Sequence, residues 1–136
     1  MSKKNRRKTL KPKKKSSFSV EESKLFLIVT IVMFHIVPLF FVMMGENGQM
    51  LLTQFFLVQL NPLFIALTGL IYGIKKGFNA KYPLIMGVLA VISIPMYYNL
   101  EAQYMMQTII IEAIVYIAFS YISVAAGAFV KKLLKL

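Results

Sequence analysis

Four long apolar runs, separated by three short polar turns, organise this chain. They cover residues 25–44, 51–74, 82–98 and 105–130, with turns at 45–50, 75–81 and 99–104. An α-helix rises about 1.5 Å per residue, so about 20 apolar residues cross a ~30 Å hydrocarbon core. The first, second and fourth runs reach that length. The third, at about 17 residues, does so only if it continues to Leu100 or the bilayer thins around it. Turns this short make successive helices antiparallel neighbours. The pattern therefore predicts an all-α fold: an integral membrane, antiparallel four-transmembrane-helix bundle formed by residues 20–136.

Helix-boundary residues agree with that division. Ser19-Val20-Glu21-Glu22 reads as a capping box, in which the Ser19 hydroxyl accepts from the Glu22 amide and the Glu22 carboxylate reaches back. The two acids also suit the positive end of a helix dipole. Gly77 can take positive φ just after the second helix. Pro83 fits the first turn of the third, where a missing N–H costs nothing. Pro38 and Pro62, inside the first two runs, predict kinks that neighbouring helices must accommodate. A cleaved signal peptide would also start basic and turn apolar. Its apolar core would be 7–15 residues long and end at an Ala-x-Ala-like site, which this N-terminus lacks.

Charge adds an orientation. The chain has 16 Lys and Arg against 5 acids, a formal net charge of +11. Lys3, Lys4, Arg6, Arg7, Lys8, Lys11, Lys13, Lys14 and Lys15 fill a tail, residues 1–19, that repels itself and is predicted to be disordered. The other basic residues are Lys24, then Lys75, Lys76 and Lys81, then Lys131, Lys132 and Lys135. The first and third turns carry no basic residue and hold Glu46 and Glu101 instead. Lys and Arg beside membrane helices stay cytoplasmic. Four crossings with both termini inside satisfy every positive charge, and an odd number of crossings would not.

The residue inventory limits the chemistry. With no Cys, no Asp and one His, the chain has no disulfide framework, thiolate metal site, cysteine nucleophile, Ser/His/Asp triad or aspartyl pair. No catalytic residue, cofactor or metal site is read from it, and the enzyme classes fall away. Counting from the helix ends places His35 and Asn61 each roughly 15 Å deep, near the midplane. Glu112, about 24–27 Å from the inner end of the fourth helix, falls just below the outer surface, level with Gln54. Polar groups in hydrocarbon face the bundle and find partners. His35, Asn61, Glu112 and Gln54 are thus the candidate intramembrane polar site. One reading makes His35 a proton or substrate group and Asn61-Pro62 a helix break that binds an ion. The simpler reading is a neutral histidine hydrogen-bonded to a neighbouring helix.

Small residues mark packing faces. Gly69-x-x-x-Gly73 and Ser123-x-x-x-Gly127 let helices approach closely. Glu112, Tyr116, Ser120, Ser123 and Gly127 share one face of the fourth helix, the expected packing stripe. Tyr82, Tyr97, Tyr98 and Tyr104 lie near helix ends, where aromatic belts belong. The nine tail cations, at about 1 kcal/mol each near an anionic leaflet, are candidate lipid-surface contacts. They also serve as a topology signal. Without an aromatic before Phe18 for base stacking, they do not favour nucleic acid.

The run Asn61-Pro62-Leu63-Phe64, then Tyr72-Gly73-Ile74-Lys75-Lys76-Gly77-Phe78, Tyr82-Pro83 and Tyr97-Tyr98-Asn99 resembles a group of small four-helix membrane proteins of Gram-positive bacteria. The resemblance covers about residues 60–99. It implies a bacterial plasma membrane and carries no catalytic residue over. The function expected from these features is non-enzymatic: a small accessory, assembly or regulatory membrane protein that packs against itself or a partner. The alternative is a small oligomeric transporter or channel using His35 and Asn61 at mid-membrane.

Overall fold

The computed structural model describes residues 19–135, so the basic tail lies outside it. Four helices follow: α1 (Val20–Met43), α2 (Glu46–Lys76), α3 (Lys81–Tyr97) and α4 (Ala102–Leu133). At 24, 31 and 32 residues, α1, α2 and α4 are long and apolar enough to cross a membrane. The third, of 17 residues, is apolar but shorter. The Ser19 hydroxyl accepts from the Glu22 amide at 3.4 Å and starts α1, as the capping box predicts. Gly77, at φ +83°, ends α2 and donates its N–H to the Gly73 carbonyl at 2.9 Å. Gly45, at φ +74°, turns the chain between α1 and α2. Both need a conformation that other residues rarely adopt.

Pro38 and Pro62 each follow a widened stretch of helix. The five residues Val32–Ile36 before the first, and the nine residues Leu52–Leu60 before the second, are π-helical. Proline has no N–H, and its ring presses on the carbonyl four residues back. A wider turn relieves that pressure by moving each hydrogen bond one residue further along. The Val37 amide accordingly reaches the Val32 carbonyl, and the Asn61 amide reaches Phe56. An α-helix would have used the Leu57 carbonyl for Asn61. Here it is released for another partner.

Side-chain pairs give the packing. Between α1 and α2 the contacts run Phe26–Tyr72, Phe34–Phe64 and Phe41–Phe56, rising along one helix and falling along the other. Tyr121 on α4 donates to the Ala80 carbonyl just before α3 at 2.7 Å, and Gly87 of α3 lies against Ile117. The most extensive contact joins α2 and α4, which are not successive in the chain. Their small residues explain it. A Cβ placed on Gly73 would stand 2.7 Å from the Ala128 nitrogen and 2.9 Å from the Gly127 Cα. The predicted stripe is indeed the packing face, with Tyr116, Ser120, Ser123 and Gly127 all buried. Phe34, Leu52, Ile65, Tyr82, Met86, Ile94 and Tyr116 fill the centre with no exposure. The outward surface is the apolar one: Phe40, Ile111, Ile114, Ile122 and Phe129 are all exposed.

Candidate functional site

Asn61 follows the π-helical stretch of α2 and is 1% exposed. A buried amide in apolar surroundings must find hydrogen-bond partners. Its Nδ2 donates to the Tyr98 hydroxyl at 3.1 Å and to the Tyr116 hydroxyl at 3.2 Å. Tyr116 donates in turn to the released Leu57 carbonyl at 2.9 Å. That bond uses the one phenolic proton of Tyr116, so Asn61 must meet it with its NH2 side. Tyr98 and Tyr116 are 3% and 0% exposed. The knot therefore ties α2 to α4 and to the residue that follows α3. Among the described residues, the Asn61 Oδ1 has no hydrogen-bond partner. Glu112 lies one turn before Tyr116 on the same face of α4 and is half-buried.

The sequence-predicted polar residues do not all meet here. Asn61 forms the knot, and Glu112 stands one turn from its Tyr116. His35 sits in the π-helical part of α1, partly buried, with its ring edge-on to Tyr97 at a centroid distance of 5.7 Å. Gln54 is exposed on the outside of α2. Sequence reasoning missed the tyrosines. Tyr98 and Tyr82 are buried inside the bundle, whereas Tyr104 is exposed. Tyr82 stacks on Tyr72 at 3.6 Å and 6°, and Phe26 packs edge-on against both rings. The Tyr72 hydroxyl and Ser23 share a hydrogen bond of 3.1 Å. Gln49 fastens the other end of the bundle, donating to the Tyr97 carbonyl at 3.0 Å and accepting from the Asn99 amide at 3.2 Å.

The arrangement can hold helices in register, and its donors and acceptors are largely used in doing so. Among the described residues no three His, Cys, Asp or Glu side chains come together as metal ligands. Comparison with protein-family models, with curated proteins and with solved structures found no match for the chain.

His35 allows a direct test of whether it is structural. Edge-to-face packing on Tyr97 uses the imidazole ring but no proton transfer. His35→Gln and His35→Leu should therefore each lose about 1 kcal/mol, the scale of an aromatic pair, and both should keep growth complementation. Thermal unfolding in detergent measured beside complementation checks this. A stable but inactive Gln variant would make His35 an ionisable working group.

Proposed function

We propose that this is a non-enzymatic multi-pass protein of a bacterial plasma membrane that acts by packing its helices against a second membrane protein or another copy of itself. Three helices of crossing length and an outward apolar surface support insertion in lipid. The basic groups at 75–81 and 131–135, set against turns bearing Glu46 and Glu101, support an antiparallel bundle with both termini in the cytoplasm.

One observation carries the packing role. Most polar groups inside the bundle are hydrogen-bonded within it, yet Gln54 and Gln59 on α2 are exposed. Five residues make about one turn of a π-helix, so the stretch Leu52–Leu60 brings both amides to one side. Amides facing lipid are costly, and a neighbouring helix bearing donors and acceptors removes the cost. The centre of the bundle, filled by Phe34, Tyr82, Met86 and Tyr116, supports this reading over a pore through one copy.

The cysteine-free chain makes the test direct. Val58 lies between the two glutamines and is exposed. Val58→Cys carrying a thiol-attached photocrosslinker, irradiated in native membranes, should form a covalent adduct, and Gln54→Leu with Gln59→Leu should diminish it. Ile114→Cys on α4 is the exposed comparison. Adducts no more frequent at 58 than at 114 would defeat the packing role. The same approach reads orientation: cysteines at Asn47 and Gln103 should react with an impermeant thiol reagent in intact cells, and one at Ala80 only after permeabilisation.

A further inference from the structure

A groove of about 340 Å³ lies between α1 and α2. Leu25 and Val29 line one wall, and Phe64, Leu67 and Ile71 the other, with Lys75 at one end. Thr68, also in the wall, uses its hydroxyl on the Phe64 carbonyl at 2.5 Å, so the groove stays apolar. Among the described residues, Lys75 is the one charged side chain that lines it. From Phe64 to Lys75 the helix rises roughly 16 Å, about half of a ~30 Å hydrocarbon core and so the depth of one leaflet.

We propose that this groove holds one acyl chain of an anionic phospholipid whose phosphate meets Lys75. The inference rests on the membrane-spanning reading above and not on partner packing. Positive charge gathers at that end. Lys24 precedes Leu25 on α1, Lys76 follows Lys75, and the Lys131 ammonium donates to the Lys75 carbonyl at 3.1 Å. Glu21 and Glu22 lie one turn nearer the start of α1, so the basic groups still outnumber the acids there. With both termini inside, this end faces the cytoplasmic leaflet, where anionic lipids concentrate. An apolar slot of leaflet depth with a cation at its mouth matches such a lipid in both shape and charge.

The chain contains no tryptophan, so an introduced one reports a single place. Leu67→Trp puts it in the groove. Ile122→Trp puts it at a similar level on the outside of α4, since Gly69 packs against Ser123. The full-length protein is reconstituted in phosphatidylcholine vesicles containing brominated phosphatidylglycerol or brominated phosphatidylcholine at equal mole fraction. At Leu67 the anionic lipid should quench with about fivefold higher apparent affinity, the factor that ~1 kcal/mol per Lys corresponds to. Lys75→Gln should abolish that preference, and Ile122→Trp should show little of it. Ile71→Trp serves as a second groove reporter should the Leu67 variant misfold. Equal quenching by the two lipids in the groove would overturn the proposal. So would the same preference at position 122, which attraction by the basic tail alone would produce, or a preference that survives Lys75→Gln. Absence of quenching by either lipid at either position would overturn the membrane reading as well.

Discussion

Gly73→Ala is expected to destabilise the bundle by about 3 kcal/mol, the upper end of the range for overpacked cores. The added methyl group would meet backbone: the Val124 carbonyl, the Ala128 nitrogen and the Gly127 Cα. Backbone within two helices cannot rotate away, so α2 and α4 would have to separate along their main contact. Gly69→Ala, one turn earlier, should cost much less. Its methyl group would meet the Ser123 side chain, which can change rotamer. Gly77→Ala separates steric from conformational effects. It enters open space but keeps φ at +83° with ψ at −175°, a strain of about 1–3 kcal/mol for a residue with a Cβ. Reversible unfolding in mixed micelles should therefore rank Gly73→Ala as the most damaging of the three. Equal losses for Gly73→Ala and Gly69→Ala would mean that the helix backbones do not approach as described.

The second large effect is expected at Tyr116. Tyr116→Phe leaves the shape of the core unchanged and removes one oxygen. The Leu57 carbonyl and one Asn61 N–H then lose their partner together. Interhelical hydrogen bonds in membranes average about 0.6 kcal/mol and rarely exceed ~1.7. Two buried groups orphaned at once should bring the loss to about 2 kcal/mol or more. Asn61→Leu should be milder. It removes the amide and its unpartnered oxygen together, while Tyr116 keeps its bond to Leu57. The double variant should cost less than the sum of the singles, because both act on one network. A Tyr116→Phe protein as stable as the parent would show that the Leu57 carbonyl finds its partner elsewhere.

The start of α1, the end of α2 and the packing face of α4 were legible because their causes are local, whereas the turns expected at 45–50 and 99–104 are helical from Glu46 and from Ala102. Ser19 caps α1 from three residues away, Gly77 ends α2 through its own backbone, and the stripe from Tyr116 to Gly127 follows from helical spacing alone. Gly69-x-x-x-Gly73 and Ser123-x-x-x-Gly127 each marked a close approach, but that the two meet each other was not readable. Nor was the polar knot. Counting depth at a constant rise treats α2 as one regular helix, whereas nine of its residues turn more widely. Tyrosine suits an interface and a satisfied core equally well, and nothing beside Tyr98 indicates that its partner lies 37 residues away. One clue was available. Tyr116 lies on the packing stripe of α4 and can both donate and accept, as a buried Asn61 requires. Pro95, inside α3, passed without notice and is exposed there, away from the core.

The wide stretch Leu52–Leu60 makes α2 two rotors on one axle. Each wide turn takes up an additional residue, which in an ordinary helix would swing everything beyond it by about 100°. The end bearing Gln49 and Gln54 is thus phased separately from the end bearing Gly69 and Gly73. A chain with a residue more or less between Leu52 and Leu60 would leave the glycine seam where it is. It would turn a different set of side chains towards Tyr97 at one end and towards the surroundings at Gln54. The face this protein offers outward can therefore change by a shift of length, without any change in the residues that hold it together.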